Sequence, residues 1–93
     1  MKLTERFLKY VSFDTQSDES STTIPSSKKQ LKFATYLVDE LHQLSISNAF
    51  VNEYGIVYAF LEANNGSKQA IGFIAHMDTS PDMTGKNVCP KIV

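Results

Sequence analysis

The 93 residues predict an α/β fold of two helices, a β-hairpin and a buried strand that ends in a histidine motif. Three observations predict it. Apolar residues recur at helical spacing over residues 27–44, the signature of an amphipathic helix. Strand formers gather on both sides of Tyr54-Gly55. The run Ala70-Ile71-Gly72-Phe73-Ile74-Ala75 is apolar at both parities, as in a strand covered on both faces of a sheet.

In order, residues 4–11 form the first predicted helix. Thr4 is its expected cap, and Leu3, Phe7, Leu8 and Val11 recur on one side, a stripe expected to face the core. Residues 13–27 are read as a long polar loop, rich in Ser and Thr with Pro25 near its end. Loops of this length are usually functional or mobile. Ser26-Ser27-Lys28-Lys29 contains an S-x-x-K spacing, but nothing else of a serine acyl-enzyme accompanies it. Residues 27–44 form the main helix. Ser27 with Gln30 makes a capping-box pattern, and Leu31, Ala34, Leu37, Val38, Leu41 and Leu44 make its expected buried stripe. His42 falls near the helix C-terminus, where the dipole favours a cation; this places it in solvent rather than on a metal. Residues 49–53 and 55–63 are the hairpin strands, joined at Tyr54-Gly55. Asn65-Gly66 supplies a turn that needs positive φ. The buried strand 70–75 then leads into His76-Met77-Asp78-Thr79-Ser80-Pro81-Asp82. No internal repeat and no second domain is read in residues 1–93.

Composition narrows the class. A chain of this length makes one domain or less, and its 42% apolar content is slightly low for an independent globular domain. A net charge of −1 argues against an electrostatic nucleic-acid binder. No apolar run reaches the ~18 residues of a spanning helix. The charged start MKLTERFLKYVSF lacks a signal-peptide core, and the single Cys89 fits a reducing compartment. The expectation is a cytoplasmic protein with no nucleic-acid or membrane partner.

The chemistry sits in His76 and Asp78. In an extended chain residues i and i+2 point the same way, and the carboxyl ends of α/β strands are where ligands bind. A zinc ligand histidine needs a neutral ring held by an acceptor on its other nitrogen. His76 as ligand and Asp78 as the group that orients it satisfy that need. A strand-end histidine beside a turn-forming Asp-Thr-Ser-Pro is the other reading that spacing leaves open.

H-x-D at the end of an apolar strand resembles the first metal-binding motif of the zinc aminopeptidase and deacylase superfamily. The longer strings His76 to Asp82 and Gly85-Lys86-Asn87-Val88 resemble, more narrowly, the peptidase T family of aminotripeptidases. So do Glu5 to Ser12 and Asp14-Thr15-Gln16-Ser17, in the same order along the chain. The resemblance implies part of a zinc-exopeptidase-like catalytic domain. It implies two zinc ions bridged by an aspartate and a water, a glutamate as general base, and tripeptides as substrates. Of that functional set it carries only His76, as metal ligand, and Asp78 onto this chain. The bridging aspartate, the general base, the remaining carboxylate ligand and a last histidine come later in the family pattern than Val93. The expectation is therefore an incomplete domain, the N-terminal part of an aminotripeptidase and inert alone. A homodimer is one state open to the full-length parent. A related deacylase or dipeptidase is the near alternative, disfavoured by Thr79-Ser80-Pro81-Asp82. A small non-catalytic α/β binding module is the alternative from another class.

Overall fold

In a computed structural model covering residues 1–93, the elements run α1 (Leu3–Val11), α2 (Lys29–Gln43), β1 (Phe50–Val51) and β2 (Val57–Tyr58). The architecture is mixed α/β: two helices and one two-stranded antiparallel sheet.

Helix α1 begins one residue earlier than its expected cap. The Lys2 amide donates to Glu5 Oε2 at 2.9 Å, and Thr4 lies inside the first turn. A carboxylate there satisfies an amide that has no intrahelical partner and complements the helix dipole. Ser12 closes the other end, its Oγ donating to the Lys9 carbonyl at 2.6 Å. The expected core-facing stripe of α1 is only half covered. Leu8 and Val11 are half-buried, while Leu3 and Phe7 are exposed.

Helix α2 is the centre of the packing, and it covers most of the expected stripe but shifts its deepest burial toward Gln30 and Phe33. Gln30, Phe33 and Ala34 are buried, Leu37, Val38 and Leu41 are half-buried, and Leu31 and Leu44 are exposed. The reason is that α2 is approached from two sides. The hairpin packs along one flank. On the other, Tyr10 and Phe13 bring their rings to Phe33, at centroid distances of 5.4 and 5.0 Å. Tyr36 joins the same cluster, 5.0 Å from Phe13. The Tyr10 hydroxyl donates to Glu40, and Arg6 Nε stands 3.3 Å from Glu40 Oε1. A face chosen from aliphatic spacing misses this aromatic flank. The Ser27–Gln30 capping box does not form either. Lys28 stands at the N-cap without a side-chain bond, because the Ser27 hydroxyl donates to the Gln16 carbonyl of the preceding loop.

Helix α2 ends in a Schellman motif. The amides of Ser45 and Ile46 donate to the carbonyls of His42 and Leu41, and Ser45 takes φ 68°. His42 is exposed, and its Nε2 makes a hydrogen bond of 2.9 Å with the Ala49 carbonyl. It thereby ties the helix to the hairpin. The hairpin pairs Phe50 with Tyr58 and Val51 with Val57, shorter than the spans of strand formers. Its connection is the expected one. Gly55 takes φ +78°, and its amide donates to the Asn52 carbonyl. Gly66 likewise takes a positive φ of +74° after Asn65.

Residues 70–75 do not form the expected buried strand. They carry no sheet partner, and Ile71, Phe73 and Ile74 are 85%, 95% and 100% exposed. A strand exists only when its backbone groups find a ladder, and neither β1 nor β2 pairs with this run. The whole chain is sparsely packed. Six of 93 residues are buried. Backbone hydrogen bonds number 32, about half of the roughly 60–70 that a typical globular domain of this size carries. The chain is a slab of 46 × 39 × 19 Å with a radius of gyration of 15.3 Å, against about 12 Å for a compact domain. No helix is long and apolar enough to cross a membrane.

Candidate functional site

The loop after residue 75 brings His76 and Asp78 together. Nδ1 of His76 lies 3.0 Å from Asp78 Oδ1 and 2.9 Å from the Asp78 carbonyl oxygen. One ring nitrogen thus faces two acceptors supplied by the residue two positions on. In this geometry Nδ1 carries the proton and donates, and Nε2 presents its lone pair outward. Nε2 bonds to no protein group, and the His76 side chain is 84% exposed. Asp78 is the less exposed partner, at 42%.

His76 and Asp78 lie on the wall of a groove of about 760 Å³. The aromatic flank lines the same groove, with Phe7, Tyr10, Phe13 and Phe33. A second groove, of about 710 Å³, opens on the other side of the same segment, where Phe73, Ile74 and Ala75 face Ile24, Pro25 and the hairpin. Ala75, Met77 and Asp78 line both grooves.

The motif loop is held by the polar loop between the helices. Gln16 and Thr79 form an isolated parallel bridge. The Thr79 amide donates to the Thr15 carbonyl at 3.2 Å, and the Ser17 amide donates to the Thr79 carbonyl at 2.9 Å. The Ser17 hydroxyl donates to the same Thr79 carbonyl at 3.0 Å, and Gln16 Nε2 donates to the Pro81 carbonyl at 2.9 Å. Thr15 is 3% exposed. Asp14 anchors the arrangement to α2. Its Oδ1 accepts the Gln16 amide, and its Oδ2 pairs with Lys29 Nζ at 3.1 Å. Desolvation works to raise the Asp14 carboxyl, but the Gln16 amide and the Lys29 ammonium outweigh it and hold it below the usual carboxylate range. Gly85 packs closely here: a Cβ on it would meet Asp14 Oδ1 at 3.0 Å. Asp82 stays apart from His76. It accepts the Ser80 hydroxyl at 3.0 Å and caps its own turn.

Sequence reasoning singled out His76 and Asp78 but assigned no role to Thr15, Gln16, Ser17 or Gly85. Their signal was present as the string Asp14-Thr15-Gln16-Ser17 inside an otherwise low-information loop. Nothing in that string says which distant loop it grips.

One imidazole nitrogen held by a carboxylate, with the other free, is the arrangement a metal-ligating histidine takes. His76 fits zinc as a single ligand. No three of the His, Cys, Asp and Glu side chains gather into a group able to hold a metal ion, and zinc sites need three or four protein ligands. The residues present therefore fit a contribution to a zinc site and not a whole one.

No protein-family profile matches the chain. Individual proteins match it strongly. It is 56% identical over 90 residues to the Peptidase T of Clostridium acetobutylicum, covering 96% of this chain and 22% of that protein. It is 54% identical over 93 residues to the Peptidase T of Halothermothrix orenii, covering 99% and 23%. The chain is a peptidase T relative by sequence. The Peptidase T of Clostridium perfringens, 50% identical over 93 residues, adds a third such match with 99% and 23% coverage. The chain spans 22–23% of the length of these curated peptidase T relatives.

Proposed function

We propose that this chain is the N-terminal part of a cytoplasmic zinc-dependent aminotripeptidase, with His76 as a zinc ligand through Nε2 and Asp78 as the group that orients it. The observation that carries the reading is the His76–Asp78 contact, with Nδ1 held at 3.0 Å and Nε2 left unpartnered at a groove. It is supported by 50–56% identity to proteins named Peptidase T over nearly the whole chain. The exposed apolar run Ile71, Phe73 and Ile74 is a contiguous patch of the kind that marks an interaction surface. In this reading, further chain in the parent pairs and covers it.

When bound, zinc supplies a water of lowered pKa and a Lewis acid for the peptide carbonyl. The residues of this chain do less. Asp78 and its own carbonyl hold the proton at His76 Nδ1 and turn the lone pair of Nε2 outward. Tyr10 and Phe13, which line the same groove as His76, offer an apolar surface for a peptide side chain. General base and further ligands belong to the parent, so the 93 residues alone are inert toward peptides.

The test is metal content beside kcat/KM on a tripeptide in the full-length parent. His76→Ala is expected to empty one metal position. Asp78→Ala is expected to keep metal at saturating zinc while losing about 10–100-fold in affinity or activity. Asp82→Ala serves as the control and stays near the parent. Full zinc and near-normal activity in His76→Ala overturn the reading. For the 93-residue chain, calorimetry is expected to find zinc held far more weakly than the ~10–16 kcal/mol of structural zinc sites.

A further inference from the structure

We propose that Thr15-Gln16-Ser17 is a clamp that positions the His76 imidazole through the Asp78–Thr79 peptide. The only cis peptide in the chain is Ile24–Pro25, so the Asp78–Thr79 unit is trans. In a planar trans peptide the N–H and C=O point in opposite directions. The Thr79 N–H is drawn to the Thr15 carbonyl at 3.2 Å. The Asp78 carbonyl on the same unit is thereby aimed the other way, and it meets His76 Nδ1 at 2.9 Å. A bond made on one edge of the peptide sets the acceptor on the other.

The Thr79 carbonyl is held as well, by the Ser17 amide and the Ser17 hydroxyl. Gln16 Nε2 takes the Pro81 carbonyl two residues further on. Thr15 is buried, and Asp14 ties the strip to Lys29 at the start of α2. The clamp is therefore anchored to the packed part of the chain, while the ring it serves is exposed. That difference is the reason for it. A lone exposed carboxylate beside an exposed ring holds orientation weakly, since solvent screens the pair and both side chains rotate. A backbone carbonyl fixed from behind cannot rotate away. The clamp thus keeps the proton on Nδ1 and the lone pair on Nε2, the tautomer a ligand needs. This role rests on the zinc-ligand reading of His76. Thr15, Gln16 and Ser17 touch no reacting group in it and are positioning residues.

The experiment is nitrogen-15 NMR of the His76 ring in the 93-residue chain, at a pH about two units above the ordinary histidine value of ~6.5. Wild type is expected to show mainly the Nδ1–H tautomer. Gln16→Ala with Ser17→Ala is expected to lower the Nδ1–H to Nε2–H ratio about fivefold, which is about 1 kcal/mol. Ser17→Thr, which keeps the hydroxyl, is expected to hold the wild-type ratio. An unchanged ratio in the double variant, or a wild type that is mainly Nε2–H, overturns the clamp. Helical circular dichroism reports whether the double variant folds. If it does not, Gln16→Glu decides by the same ratio, since it keeps the shape but has no N–H for Pro81. In the full-length parent, full zinc content in His76→Ala would mean that the ligand reading fails, while the tautomer result still judges the clamp.

Discussion

Phe33 and Phe73 are chemically identical and should behave oppositely. Phe33 is 7% exposed, with the Tyr10 and Phe13 rings at 5.4 and 5.0 Å, whereas Phe73 is 95% exposed. Truncating a buried Phe to Ala costs about 3–5 kcal/mol through lost transfer energy and the cavity left behind. Loss of two edge or tilted ring contacts is part of that figure, at about 0.5–1.5 kcal/mol each. An ordinary domain of this length has a total stability of roughly 5–14 kcal/mol. With six buried residues, this chain belongs at or below the lower end. Phe33→Ala is therefore expected to unfold it, or to leave it marginal, at 25 °C. Phe73→Ala touches no core and is expected to stay within about 0.5 kcal/mol of wild type. The assay is urea unfolding followed by circular dichroism, with midpoint and slope compared across the three proteins. A Phe33→Ala loss below about 1 kcal/mol would refute α2 and the aromatic flank as the centre of packing. A Phe73→Ala loss of several kcal/mol would show that residues 70–75 are buried after all.

Burial, reinforced by the hydrogen bond to Glu40, pushes the Tyr10 phenol up to about 12. The unfolded phenol ionises near ~10, so this contribution to stability is full below about pH 10 and is lost as pH climbs towards 12. Phenolate absorbance should place the Tyr10 titration above that of an exposed tyrosine, and Glu40→Gln should bring it down. Gly55→Ala should cost about 1–2 kcal/mol in urea unfolding, because φ +78° penalises an L side chain and the new Cβ would stand 3.0 Å from Leu31 Cδ2. Ser45→Gly should stabilise by about 0.5–1 kcal/mol, since Ser45 sits at φ 68° where helix termini favour glycine. A fall in the urea midpoint would contradict that assignment.

Local chemistry was legible in the sequence. Both helices stand close to where their apolar spacing put them, and the hairpin turns at Tyr54-Gly55 with Gly55 at positive φ. His76 and Asp78 meet because two residues of chain are enough to bring them together. Each of these depends on interactions within a few residues, which composition and period encode directly. What only the tertiary structure decided depends on partners far along the chain. The face α2 buries was decided by Tyr10 and Phe13 arriving from the first helix and the loop after it. Ser27 gave up its capping role because the Gln16 carbonyl claimed its hydroxyl. The grip of Thr15 and Ser17 on Thr79 spans more than sixty residues, and no pattern inside either loop names the other. The apolar run 70–75 shows the limit most plainly. Its composition says that burial would be favourable, but a strand also needs neighbouring backbone for its amides and carbonyls, and neither β1 nor β2 pairs with it.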